Sequence, residues 1–149
     1  MSHAKSRIVA AALAACLAAV ALAAGGASTL SDVFGSERWR LVSLTSGGET
    51  AELGPGAGAE FVVNELGQLA GTVGCNRLIA GATLTEEGEI AFEPVASTLM
   101  ACPEPAMSRE RAFVSALEAL ERYEVGEREV RLTGPGVEVV FEVASAPEG

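Results

Sequence analysis

Residues 123–143 read YEVGEREVRLTGPGVEVVFEV, and this stretch decides the fold. Apolar and charged residues alternate along it with a period of two. Val130 and Leu132 fall on one side, Glu129 and Arg131 on the other. Val137, Val139, Phe141 and Val143 share a face opposite Glu138 and Glu142. Such alternation belongs to strands with one buried and one wet face, as in antiparallel sheets. Gly126-Glu127 and Gly134-Pro135-Gly136 supply the turns. Three strands are therefore expected: Tyr123 to Val125, Glu129 to Leu132 and Val137 to Val143.

Upstream lies a different periodicity. Met107 to Glu121 has helical composition, and Phe113, Ala116, Leu117 and Leu120 make one apolar stripe. Pro103 and Pro105 mark its start, where a missing N–H is harmless. Arg109, Arg111, Glu118 and Glu121 are assigned to its polar surface.

Before the helix the strand signals return. Trp39 to Leu44, Phe61 to Val63, Gln68 to Val73, Ala82 to Thr85 and Ile90 to Phe92 are β-rich. Glu52 to Gly58 is a loop by its Gly and Pro content, and Glu86-Glu87-Gly88 closes a hairpin. The expected fold is mainly β with one α-helix. It is a small antiparallel sheet of about eight strands, barrel-like or strongly curved, with the helix inserted before the last three.

The beginning of the chain speaks of compartment. Lys5 and Arg7 precede an uncharged apolar run from Ile8 to Ala24, and Gly25-Gly26 ends it. This pattern describes a secretory signal peptide over residues 1–23, with Ala21-Leu22-Ala23 as the cleavage site. Leu13-Ala14-Ala15-Cys16 offers an alternative, a lipobox in which Cys16 carries a lipid. An uncleaved single-span anchor is a third reading. Residues 24–36 then read as a linker, 37–143 as the domain and 144–149 as a tail. The protein is expected in the periplasm, the cell envelope or outside the cell. Contact with a membrane is expected only through the N-terminal lipid or anchor.

Composition excludes much chemistry. The 149 residues carry 20 Asp and Glu against 10 Lys and Arg, a net charge of −10. An acidic chain is a poor match for nucleic acid, which needs clustered cations. Cleavage after Ala23 would remove the one His and the one Lys. No His-based nucleophile system and no lysine chemistry would remain. Two cysteines alone fall short of a zinc site. We therefore expect no catalytic residue, no cofactor and no metal.

A compact motif precedes the helix: Gly71-Thr72-Val73-Gly74-Cys75-Asn76, then Ser97-Thr98-Leu99-Met100-Ala101-Cys102-Pro103. Gly71 and Gly74 could suggest a phosphate cradle, but no Walker spacing accompanies them. Tight turns or bulges needing positive φ are the better account. Cys75 and Cys102 lack redox C-x-x-C spacing. In an oxidising compartment they are expected as a structural disulfide, with buried free thiols as the alternative. Asn76 fits a turn residue that satisfies backbone. The run Glu118, Glu121, Glu124, Glu127 and Glu129 reads as a solvated edge rather than a catalytic carboxylate pair. Trp39 reads as a core residue.

These residues together resemble the META domain, the HslJ-like heat-shock family. The match rests on Trp39 and Leu41, on Gly71, Gly74, Cys75 and Asn76, and on Thr98, Met100 and Cys102. It extends to the helix residues Glu110, Phe113 and Leu117, and covers about residues 37–143. One departure is Ala82, where the family often has an aromatic residue. The resemblance implies a compact β fold with one helix, an exported or envelope location and a link to stress tolerance. It implies no established enzyme activity. The expected role is thus non-enzymatic, through binding or scaffolding of an unknown envelope protein. A carrier or sensor of an apolar small molecule is the alternative, and a Glu-dependent hydrolase ranks last.

Overall fold

A computed structural model describes residues 28–145. The leader, with Cys16, and the last four residues lie outside the described residues. In chain order come helix α1 (Leu30–Phe34) and strands β1 (Trp39–Ser46), β2 (Glu49–Glu52), β3 (Ala59–Val63), β4 (Leu69–Val73) and β5 (Arg77–Ala80). Then follow β6 (Ala82–Leu84), β7 (Ile90–Phe92), β8 (Ala96–Ser97), helix α2 (Ala106–Ala119), β9 (Arg122–Val125), β10 (Glu129–Gly134) and β11 (Val137–Val143).

Nine strands form one antiparallel sheet. Its order is β8-β5-β4-β3-β1-β11-β10-β9, with β2 paired to β1 beside this path. β6 and β7 form a separate hairpin. Its end meets β9 at an isolated bridge between Glu89 and Arg122. The ladder does not close on itself, since β8 and β9 end the path. The expected antiparallel, mainly β class with a helix before the last three strands is what the chain adopts.

The C-terminal meander follows its alternation. Val130 and Leu132 are fully buried between β9 and β11, while Arg131 bridges Glu129 at 2.8 Å and Glu138 at 3.0 Å on the outer face. These ion pairs raise the pKa of Arg131, through its hydrogen bonds to Glu138 and then Glu129. β1 departs from strict alternation. Its register with β11 shifts between Leu41 and Ser43, a β-bulge. The extra residue re-aims the strand, so Trp39, Leu41 and Leu44 all face the core.

The core is aromatic at its centre. Phe113 on α2 lies 5.1 Å from the ring of Phe61, and Phe61 meets Phe141 edge-on at 5.5 Å. The expected stripe of Phe113, Ala116, Leu117 and Leu120 is buried throughout. Such a stripe, rather than helix propensity, holds α2 on the sheet.

The segment read as linker is corrected. Residues 30–34 fold as α1, so the protein has a second, short helix. Thr29 caps it, and Asp32 returns a bond to the Thr29 N–H at 2.8 Å. Leu30, Val33 and Phe34 are buried. The Trp39 indole donates to the Phe34 carbonyl at 2.7 Å, and the Phe34 ring packs edge-on against Trp39 and Phe141. α1 therefore belongs to the core.

Candidate functional site

The motif assembles where β4 turns into β5. Thr72 Oγ1 accepts from the Gly74 N–H at 3.0 Å, and Gly74 takes φ of 110°, a value that favours glycine. Gly71 has a different reason from the expected one. It lies within β4, its φ is not positive, and it sits opposite Phe61. A Cβ there would stand 2.1 Å from the Glu60 carbonyl oxygen and 2.5 Å from the Phe61 ring. Glycine is needed for close approach.

Cys75 and Cys102 are disulfide-bonded, with Cα atoms 6.0 Å apart. Cys75 Sγ also lies 3.7 Å from Met107 Sδ. The bridge thus ties the β4–β5 turn to the segment leading into α2.

Asn76 is the hub. It is 2% exposed, and each polar atom of its side chain is used. Its Nδ2 donates to Glu110 Oε1 at 2.7 Å and to the Met100 carbonyl at 3.2 Å. Its Oδ1 accepts from Thr98 Oγ1 at 2.9 Å and from the Met100 N–H at 2.7 Å. Its own backbone N–H donates to Glu110 Oε2 at 2.8 Å. The Arg77 N–H donates to Thr98 Oγ1 at 3.0 Å. A buried carboxylate is tolerated when its oxygens accept such bonds.

Glu110 is 8% exposed. Its position could be read from spacing, because Glu110, Phe113 and Leu117 share one helix face. A carboxylate on the buried stripe signals a partner within the core. Arg109 corrects the expectation of a purely polar surface. It is half-buried, and its guanidinium donates to the carbonyls of Val73 at 3.2 Å and Ala57 at 3.4 Å. α2 is therefore fastened to the end of β4 by Arg109 and to the β4–β5 turn by Glu110.

The site residues read from sequence are thus brought together. Gly71, Gly74, Cys75, Asn76, Thr98, Met100 and Cys102 surround one turn and one loop. Cys16 lies outside the described residues. Of the acidic run, Glu118, Glu121, Glu124 and Glu127 are exposed, and Glu129 bonds to Arg131. Ala82 is half-buried and pairs in register with Phe92 on β7, so an aromatic ring stands across from the family's aromatic position. Among the described residues, Arg40 Nε is the one buried side-chain polar atom without a partner. No motif atom shares that condition.

The network leaves two apolar side chains outside. Leu99 is 96% exposed and Met100 55% exposed, although the Met100 backbone is held on both its N–H and its carbonyl by Asn76. Beside Met100 runs a groove of about 620 Å³, lined on the sheet by Val62, Ala70, Thr72 and Arg77.

The comparisons agree with this geometry. A protein from Burkholderia xenovorans, solved by NMR, superposes with a TM-score of 0.64 at 19% identity, covering 98% of this chain and 99% of that one. A DUF4847 family protein from Bacteroides vulgatus gives a TM-score of 0.56 at 11% identity, covering 78% of this chain and 99% of its own. At such identities these likenesses speak for the fold alone. No curated protein matches the sequence. The META domain, in contrast, matches residues 31–146, a span that begins within α1 and contains every residue of the Asn76 network. The chain belongs to the META domain family.

Proposed function

We propose that this META domain is exported and acts without bond-making chemistry, supporting stress tolerance by binding or scaffolding an envelope protein through its surface. The observation that carries this reading is the saturation of the motif. Asn76, Thr98 and Glu110 spend their polar atoms on each other and on backbone. A general acid or base needs reach to a substrate atom, whereas these groups face inward. The disulfide supports export, because such bridges form and persist in oxidising compartments. A second reading, a carrier or sensor of an apolar small molecule, is favoured by the groove beside Met100.

The test is survival at high temperature of cells lacking the protein. The full-length chain is expected to restore survival, and a leaderless chain held in the cytosol is not. Intact mass of the natively processed protein, with and without reduction, is expected to show loss of the leader and one closed disulfide. Equal protection by the leaderless chain, or free thiols at Cys75 and Cys102 in the native protein, would contradict the reading.

A further inference from the structure

The groove beside Met100 has a chemical character of its own. Antiparallel pairing places Val62 next to Ala70 and Ala70 next to Ile79, on the face of β3–β4–β5 opposite the core residues Phe61 and Leu78. Val62 and Ala70 form the apolar floor, and Met100 is a wall. The backbone behind that wall is fixed, because Asn76 and the disulfide hold the loop. A pre-positioned apolar wall lowers the ordering cost of binding.

The charges around it run against the chain's average. The protein carries −10 overall, yet this groove is lined by Arg38 and Arg77 against one acid, Glu60. Arg38 is matched to Glu60 at 3.0 Å. The Arg77 guanidinium has neither an ion pair nor a hydrogen bond among the described residues. Another groove, between β2 and α2, has the opposite bias. It carries Glu49 and Glu52, and its Arg109 is already bonded to two carbonyls. An unpaired cation at the end of an apolar floor complements an anion joined to an apolar chain.

We propose that this groove binds one single-chain amphiphile with an anionic head, its alkyl chain along Val62, Ala70 and Met100 and its head on Arg77. The fork of a guanidinium suits a carboxylate or phosphate. A volume of about 620 Å³ is in the range of small-molecule sites. A free amphiphile is favoured over an anionic bilayer, since a surface with net charge −10 is repelled by such a bilayer. This inference rests on the second reading above, a carrier or sensor of an apolar small molecule, and names the ligand class for it.

The test is a residue-by-residue amide shift titration of the folded, oxidised protein with dodecanoate below its micelle concentration. Saturable shifts are expected at residues 60–62, 70–72, 77 and 98–100. Dodecyltrimethylammonium, with the same chain and opposite charge, is expected to bind at least tenfold more weakly, as is dodecanoate to Arg77→Gln, given the strength of a charge-assisted contact. Arg77 is exposed, so the variant keeps its fold, and Val62→Glu gives a second block at the floor. Phosphatidylglycerol vesicles are expected to leave the spectrum unchanged. Equal binding of the cationic probe, shifts mapping elsewhere, unchanged affinity in Arg77→Gln, or vesicle binding without monomer binding would overturn the proposal. If no probe binds while the exported chain still protects cells, the groove proposal fails alone. If export proves unnecessary for protection, the functional reading fails whatever the groove binds.

Discussion

Asn76 and Glu110 stand 34 residues apart in sequence and meet through two hydrogen bonds, Asn76 Nδ2 to Oε1 at 2.7 Å and the Asn76 N–H to Oε2 at 2.8 Å. The pair joins the β4–β5 turn to α2. The remaining bonds of Asn76 then fix Thr98 and Met100, so one side chain determines where the exposed loop sits.

Asn76→Ala strips partners from a buried carboxylate oxygen and from the Met100 N–H. Each stranded group costs about 1–3 kcal/mol, so a loss of about 3 kcal/mol in urea unfolding is expected. Asn76→Asp adds a second carboxylate facing Glu110. Like charges at that distance raise one folded pKa above its unfolded value. Stability tied to the shared proton is present at low pH and lost as pH rises through the raised value. The deficit of Asn76→Asp against the parent should therefore grow from pH 4 to pH 7. Parallel unfolding curves at both pH values check it.

Gly71→Ala places a methyl carbon 2.1 Å from the Glu60 carbonyl oxygen, inside a paired strand. Backbone must move to relieve it. We expect a loss above about 3 kcal/mol or failure to fold, at the upper end of what overpacking costs. Gly56→Ala, where nothing lies within 4 Å of the new methyl, is the control and should change stability little. Thermal melts of the two variants distinguish close approach from a general intolerance of alanine.

Reducing the Cys75–Cys102 bridge opens a loop of sequence separation 27. In the chain-entropy model such a closure is worth about 3–4 kcal/mol. The doubly substituted Cys75→Ser, Cys102→Ser protein should melt lower by a corresponding amount. Hydrogen exchange should quicken first in residues 98–102, because Thr98 and Met100 keep their bonds to Asn76 only while the turn stays formed.

Two exposed acids set a pH dependence. Asp32 is held below its ordinary pKa by the Thr29 side chain and backbone, and Glu104 by Ser108 and then Arg111. Both folded values lie below the unfolded ones. Their contribution is present above the unfolded values and disappears as pH falls through the folded ones. Stability should thus decline on acidification below about pH 4.5, the region where free Glu and Asp titrate. Carboxyl shifts of Asp32 and Glu104 followed by NMR should each titrate below the ordinary range of its residue type.

Much of this fold is legible in the sequence, and the gaps have physical causes. Alternation marks β10 and β11 because one face is dry and the other wet. It is silent for β2, whose four residues are all exposed, and for β8, which has only two residues. β5 is hidden because Arg77 to Ala80 follows directly on the glycine turn. Strand pairing, rather than local propensity, extends it. α1 is short for any periodic signal, yet Thr29 and Asp32 form a capping box. Leu30, Val33 and Phe34 fall at helical spacing within a stretch whose Gly and Ser content suggests a linker. The disulfide and the motif residues are visible as types. Their mutual satisfaction is not, because it depends on Glu110 arriving from a helix 34 residues away.

Whether the motif is a structural lock or a reactive centre is decided most directly with Glu110→Gln. The variant keeps the size of the side chain and one acceptor oxygen, and removes the charge. Its melting temperature and its ability to restore heat survival should be measured on the same exported protein. The account predicts a lowered melting temperature, with protection intact wherever the variant remains folded. A variant that melts like the parent yet protects no cells would contradict it.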